Sequence, residues 1–136
     1  MEVSENLEFH DSEIVKISVD RRTQNGKIDF LLENGQLESI SFIGLKAFRC
    51  EDFTLQNVVN RVLRSSRNEI TRENVDYWFQ WVTSLSDSSS WLSENRKKEW
   101  ISSCDLGKLD LIIIEPSAGA QIVVLCERLE ISFLEK

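Results

Sequence analysis

Histidine, cysteine and the short motifs that bind metals or cofactors are scarce in this 136-residue chain. There is one histidine, and the three cysteines, Cys50, Cys104 and Cys126, form no CxxC pair. Zinc sites require three or four His, Cys or acidic ligands, usually with two of them close in sequence. The sequence also has no DxDxDG-like calcium loop and no glycine-rich phosphate loop. We therefore expect neither a metal nor a cofactor.

Proline and glycine are also rare, with one and five residues, so no stretch has the composition of a flexible linker. No apolar run is long enough to span a bilayer, and the acidic first ten residues lack the apolar segment of a secretory signal. The odd number of dispersed cysteines favours a reducing compartment in which thiols stay free. These features predict one globular domain over residues 1–136, in the cytoplasm and without a membrane partner.

The chain carries a net charge of −7, from 23 acidic and 16 basic residues. Proteins that bind nucleic acid through phosphate contacts need clustered positive charge, so this balance predicts no nucleic-acid partner. It favours fast association with a basic protein. An acidic surface is also a common means of keeping a protein in solution, and charge alone does not decide between these two interpretations.

The N-terminal third alternates apolar and polar residues, as half-buried strands do. EIVKISVD, KIDFLLE and LESISFIG are the three clearest segments, and LKAFRCEDF predicts a fourth strand. Asn25-Gly26 and Asn34-Gly35 lie between the first three segments, and Asn-Gly is the strongest short signal for a hairpin turn. This part of the sequence predicts a β-meander.

The middle of the chain changes to a helical period. TLQNVVNRVLRSS predicts a short helix capped by Thr54, although valine-rich segments also form strands and the alternative stays open for residues 55–66. TRENVDYWFQWVTSLS predicts a helix that begins after Thr71, and SENRKKEW a short exposed helix capped by Ser93. The apolar stripe expected on the longer helix consists of Val75, Trp78, Phe79, Val82 and Leu85.

The last thirty residues return to strand patterns. KLDLIIIEP is nearly all apolar, which is typical of a central strand covered on both faces. Pro116, Ser117 and Gly119 predict a turn, and AQIVVLCERLEISFLEK supplies one bent strand or two. The chain is therefore expected to be α+β: an antiparallel β-sheet made of a β-meander, then helices, then a C-terminal β-hairpin, with the helices packed on one side.

His10, Asp11 and Ser12 are the residue types of a hydrolase triad, placed side by side. Chain neighbours rarely adopt the geometry of a triad, and the sequence lacks a GxSxG nucleophile elbow. Short polar residues also bond nearby backbone groups where a strand begins. We therefore expect a structural motif, no catalytic residue and no enzyme activity, with a hydrolase using His10 as the least favoured alternative.

The densest aromatic cluster is YWFQW at residues 77–81. Trp78 and Phe79 fall on the apolar stripe and are expected in the core. Tyr77 and Trp81 lie one helical turn apart on a flanking face. They either pack half-buried against the sheet or serve as exposed anchors for a partner, a role in which Trp and Tyr are enriched.

Three stretches carry a resemblance to a known group of proteins: FHDSEI, FIGLKAFRCEDFTLQNVVNRV and EPSAGAQIVVLC. They resemble small bacterial proteins that open with an aromatic-His-Asp-Ser strand and continue into an antiparallel sheet. Some members of that group are immunity proteins of contact-dependent and other polymorphic toxin systems. The resemblance implies a cytosolic protein that binds one cognate toxin domain and blocks it by steric and electrostatic occlusion.

A toxin domain that attacks nucleic acid, such as a nuclease, must itself be basic, so an acidic inhibitor would associate with it quickly and selectively. The contact surface is then expected to be an acidic rim around aromatic anchors. The candidates are Glu33, Tyr77, Trp81, Asp87, Trp91 and Glu94. The alternative of a different class is a non-catalytic scaffold or housekeeping protein, which would form a homodimer through a sheet edge.

Overall fold

The computed structural model describes residues 9–85 and 89–134. Within these ranges the chain has six strands and two α-helices. The strands are β1 (Glu13–Asp20), β2 (Asn25–Leu31), β3 (Leu37–Glu51), β4 (Val58–Arg64), β5 (Asp110–Ala118) and β6 (Gln121–Phe133), and the helices between β4 and β5 are α1 (Arg72–Val82) and α2 (Glu94–Asp105). The predicted α+β class, with an antiparallel sheet and helices on one side, is confirmed.

The strands close into a barrel in the order β1-β2-β3-β6-β5-β4, and all neighbours are antiparallel. β1 and β4 meet at a single pair, Glu13 opposite Val58, with further backbone hydrogen bonds beside it. Inward-facing side chains of all six strands fill the barrel, among them Ile14, Ile28, Phe30, Ile40, Phe42, Val59, Val62, Ile112, Ile114, Ile122 and Val124.

A second core lies outside the barrel, between the sheet and the helices. Leu111 and Ile113 point from β5 toward this core, whereas Ile112 and Ile114 point into the barrel. β5 is therefore buried on both faces, as its apolar run predicts. Phe79 of α1 is 0% exposed in this layer, and burying a side chain of that size contributes about 1.5–3 kcal/mol. Neither helix among the described residues is long and apolar enough to cross a membrane.

The helix starts follow the predicted caps. Thr71 Oγ1 accepts a hydrogen bond from the backbone N–H of Asn74 (3.2 Å), and Ser93 Oγ accepts one from the N–H of Arg96 (3.1 Å). These bonds satisfy amide groups that the first helical turn leaves without a partner. The helix ends were predicted less well: α1 stops at Val82, which leaves Leu85 70% exposed, and α2 runs on to Asp105.

The helix predicted from TLQNVVNRVLRSS is wrong, because these residues form strand β4. A register shift between Val59 and Arg61 places Val59 and Val62 on the same inner face, three residues apart. That spacing mimics a helical period. Two arginines of β4 form separate ion pairs with β5, Arg61 with Glu115 and Arg64 with Asp110.

Two other strand predictions need correction. LKAFRCEDF is not a separate fourth strand, since β3 continues unbroken to Glu51. The Asn25-Gly26 pair begins β2 and does not form the turn: Asp20 pairs with Asn25, and Gln24 in the preceding loop has the positive φ of +58°. A turn does form at Asn34-Gly35, where Gly35 has a φ of +87°. The C-terminal segment is one strand, β6, and Pro116 and Ser117 belong to the end of β5.

Candidate partner-binding surface

Asp11 and Ser12 lie at the seam where β1 meets β4. The Asp11 N–H donates to the carbonyl oxygen of Val59 (2.8 Å), and the Val59 N–H donates to that of Ser12 (2.9 Å). The Ser12 side chain is buried and its hydroxyl donates to the carbonyl oxygen of Phe9 (2.6 Å). The hydroxyl proton therefore points at the backbone and away from His10, so the three neighbouring side chains form no proton relay.

His10 is exposed at the same seam. Its Nδ1 donates to the carbonyl oxygen of Asn60 (2.8 Å), and its Nε2 lies 3.4 Å from Asp11 Oδ2. The hydrogen bond to Asn60 and, secondarily, the negative charge of Asp11 raise the pKa of His10 above its ordinary value. Glu33, in the turn between β2 and β3, adds to this effect. Glu33 therefore acts electrostatically on the seam between β1 and β4.

One face of α1 carries Glu73, Tyr77 and Trp81 at successive helical turns. Tyr77 is 59% exposed and Trp81 is half-buried. Trp78 joins them, with its ring edge-on to Tyr77 at a centroid distance of 4.8 Å and to Trp81 at 5.5 Å. Trp78, expected in the core, packs against the second core while half-buried, and Phe79 is completely buried. Tyr77, Trp78 and Trp81 form a continuous band that we call the aromatic row.

Arg49 of β3 fixes one end of the aromatic row. Its guanidinium carbon lies 4.2 Å from the centre of the Trp81 ring, and its Nη1 donates to the Trp81 carbonyl oxygen (2.8 Å). The same guanidinium forms an ion pair with Glu51. A cation over an indole ring and a cation at the last helical turn are both favourable arrangements. Arg49 therefore holds Trp81 in one orientation while one edge of the row remains open to solvent.

Acidic side chains flank the aromatic row at both ends. Glu73 and Asp76 are exposed in the first half of α1. Glu51 lies beyond Trp81, with 44% of its side chain exposed although it is paired with Arg49, and Asp52 follows it in an exposed position. Sequence reasoning missed Arg49 and Glu51, because 32 residues separate Arg49 from the tryptophan it contacts. The arrangement is that of aromatic anchors with an acidic rim.

A second aromatic pair consists of Trp91, which precedes α2, and Trp100 within α2. Trp91 is 51% exposed and lies edge-on to Trp100 at a centroid distance of 6.3 Å. Its backbone N–H donates to the carbonyl oxygen of Thr83, just after α1 ends (2.8 Å). This hydrogen bond of Trp91 therefore attaches the segment between α1 and α2 to the end of α1. Glu94 is exposed as the first residue of α2, and Asp87 lies outside the described residues.

A polar cleft of about 400 Å³ separates the start of α1 from the end of α2. Arg72 and Asp105 in its lining form an ion pair of 3.0 Å. The hydroxyl groups of Ser65 and Ser66 donate to the buried carboxylate of Asp110 at 3.2 and 2.9 Å. The most buried polar groups of the cleft thus satisfy one another. In residues 9–85 and 89–134, no group of three or more His, Cys, Asp or Glu is arranged to hold a metal ion.

Two of the cysteines are expected to be unreactive in the folded protein. Burial raises the pKa of Cys104 and of Cys126 to about 12, and the thiolate is the reactive form of cysteine. Cys50 is half-buried, and burial raises its pKa as well. We expect iodoacetamide at pH 8 to label Cys50 first, and to label the other two only in urea. Mass spectrometry of timed samples checks this, and rapid labelling of Cys104 in the native protein would contradict it.

Comparisons of the chain with protein-family models, curated proteins and solved structures give no match. The surface formed by the aromatic row and its acidic rim is therefore the basis for assigning a function.

Proposed function

We propose that this chain is a non-catalytic binding protein that recognises a basic protein domain through the aromatic row and its acidic rim. The role we assign is that of an immunity protein, which binds a cognate bacterial toxin domain in the cytoplasm and occludes it. The observation that carries the proposal is the clamped Trp81 beside the exposed Tyr77, with Glu51 and Glu73 at the two ends of the row.

The aromatic row has the features of a binding hot spot. Trp and Tyr are enriched among residues that contribute most to protein association, because a large ring buries much apolar area with few rotatable bonds. Trp81 is already held by Arg49 and by the edge of Trp78. A partner therefore meets a side chain that loses little conformational freedom on binding.

The charge of the chain supports a basic partner. The net charge is −7, and the row itself is flanked by exposed acids. Opposite charges steer two proteins together and raise the association rate, an effect that salt screens over about 8–10 Å. Slower association at high salt, with a smaller change in dissociation, is the expected kinetic signature.

The first experiment measures binding of the protein encoded by the reading frame directly upstream of this gene, called the upstream protein below. We expect Tyr77→Ala to weaken the complex by about 2 kcal/mol, or about thirtyfold in Kd, as loss of an interface anchor does. Phe133→Ala is the matched control, because Phe133 is exposed to a similar extent (54%) on β6. Isothermal titration calorimetry gives both values.

Three outcomes of that experiment would overturn the proposal. One is that the upstream protein does not bind the wild-type chain. Another is that Phe133→Ala and Tyr77→Ala weaken binding equally, since the effect would not then belong to the aromatic row. The third is that binding is strong but independent of salt, because the acidic rim would have no part in it.

A homodimer is the second candidate, and one observation favours it. Among the residues that the structure describes, β6 pairs beyond Cys126 with β3 alone, so residues 127–133 offer a strand edge. Such edges can pair with a second copy of the chain. However, Glu127, Arg128 and Glu130 place exposed charges along this edge, which is a common device against pairing. Sedimentation at rising concentration distinguishes a dimer from the monomer that we expect.

A further inference from the structure

The loop between β3 and β4 displays two large apolar side chains. Phe53 is 51% exposed and Leu55 is 103% exposed, the highest exposure among the large hydrophobic residues of the described chain. A single exposed apolar residue needs no explanation. Here two of them, Phe53 and Leu55, lie on the same loop with a single residue between them. We call this exposed pair the apolar tip.

Buried Asn57 holds this loop in one conformation. It is 1% exposed, and its Oδ1 accepts hydrogen bonds from the N–H groups of Thr54 (2.9 Å) and Ala120 (3.1 Å). Its Nδ2 donates to the Thr54 carbonyl oxygen (2.6 Å), and Thr54 Oγ1 donates to that of Gln56 (2.8 Å). The loop is thus tied to itself and to the β5–β6 connection. A loop fixed in this way loses little entropy when a partner binds it.

The loop follows directly on the end of β3 that contacts the aromatic row through Arg49. Asp52 begins it, directly after Glu51, and Glu51 pairs with the arginine that stacks on Trp81. The apolar tip therefore follows, within the next four residues of the chain, the carboxylate that pairs with Arg49. At its base Asp52 is exposed, and Glu51, with 44% of its side chain exposed, is paired with Arg49.

We propose that Phe53 and Leu55 form an anchor that inserts into an apolar pocket of a basic protein domain, with basic residues around the pocket's mouth. This inference rests on the proposed function and adds a second contact to it. The negative charge of the chain favours a basic protein over the other possible binding partners of this loop. An anionic lipid surface would be repelled by exposed Asp52 and by the net charge of −7, and a second copy of this chain would bring the same negative charge together.

The test compares two exposed leucines. Leu55→Ser removes the anchor without adding charge, and Leu106→Ser is the matched control, since Leu106 is 68% exposed at the end of α2. We expect Leu55→Ser to raise the Kd for the upstream protein about thirtyfold, and Leu106→Ser to change it by less than about twofold. Both variants should keep the wild-type melting temperature, because neither side chain is buried. Lysozyme replaces the upstream protein in a second control, because binding of this basic protein would show that positive charge alone is sufficient.

The outcomes separate this inference from the proposed function. If Tyr77→Ala weakens binding and Leu55→Ser does not, the anchor proposal is wrong, whereas the proposed role of the aromatic row is retained. If both leucine variants weaken binding equally, or if lysozyme binds as well as the upstream protein, the anchor is also wrong. If the wild-type chain does not bind the upstream protein, both proposals fall. Recovery of the wild-type chain, but not Leu55→Ser, with phosphatidylserine vesicles would show a membrane anchor and overturn the inference.

Discussion

Replacing Asp110 by alanine is expected to lower the free energy of unfolding by about 3–5 kcal/mol. Asp110 is 4% exposed at the start of β5. Its carboxylate accepts hydrogen bonds from Arg64 Nε (2.8 Å) and from the Ser66 backbone N–H (3.0 Å). It also accepts one from the side-chain hydroxyl of Ser65 and one from that of Ser66. Without the carboxylate, the guanidinium of Arg64 remains largely buried with no opposing charge.

Urea unfolding followed by circular dichroism measures this loss. Asp105→Ala is the matched control: its carboxylate also pairs with an arginine, Arg72, but 58% of its side chain is exposed. Exposed ion pairs contribute about 0–1 kcal/mol, so the control should be nearly neutral. Adding Arg64→Met to Asp110→Ala should restore part of the stability, because the unpaired charge is then gone. Equal losses in Asp110→Ala and Asp105→Ala would contradict the account.

Replacing Gly119 by alanine is expected to lower the free energy of unfolding by about 2–4 kcal/mol, from backbone strain and overpacking together. Gly119 has a φ of +83°, and a Cβ there would lie 2.5 Å from Asn57 Oδ1 and 2.8 Å from the Gln56 carbonyl oxygen. The second neighbour is backbone and cannot rotate away. The substitution must therefore displace the loop that carries Leu55.

Gly107→Ala isolates the strain from the clash. Gly107 has a similar φ of +79°, but a Cβ there would meet nothing within 4 Å. Its loss should be about 1–2 kcal/mol, the cost of the left-handed conformation alone. If the anchor proposal holds, Gly119→Ala also weakens binding of the upstream protein at a temperature where the variant is still folded, and Gly107→Ala does not. Thermal and urea unfolding that give the two variants the same loss would contradict the clash.

The sequence predicts the strands best where alternation is regular. β2 and the first half of β3 follow the period of two, and β5 follows the apolar run of a strand buried on both faces. β1 departs from that period, because a register shift between Ile14 and Lys16 accompanies a buried Ile14 and leaves Val15 and Val19 49% and 44% exposed.

For residues 55–66 the sequence favours a helix and leaves a strand open, because the inward residues Val59 and Val62 are spaced like a helical stripe. In β4 that spacing results from a register shift beside Val59. That register shift belongs to the pairing of β4 with β5, and the sequence of β4 alone does not indicate it.

The candidate surface was partly predictable. Tyr77 and Trp81 follow from helical spacing and from the general enrichment of these residues at interfaces. The clamp by Arg49 does not, because it depends on packing between β3 and the end of α1. The loop with Phe53 and Leu55 does not follow from the sequence, which predicts Phe53 at the end of a strand and Leu55 at the start of a helix, and Asn57 bonds an amide 63 residues away. Only its charge makes Glu33 a candidate in the sequence, and in the structure its negative charge acts on His10, whose pKa it helps to raise.

The most direct test of the central claim is amide hydrogen exchange of the wild-type chain with and without the upstream protein. The account predicts added protection at residues 52–57 and in the last turn of α1, and none at residues 127–133. Added protection at residues 127–133 that grows with the concentration of the chain alone, without change in the loop or α1, would contradict it and identify a strand-edge homodimer.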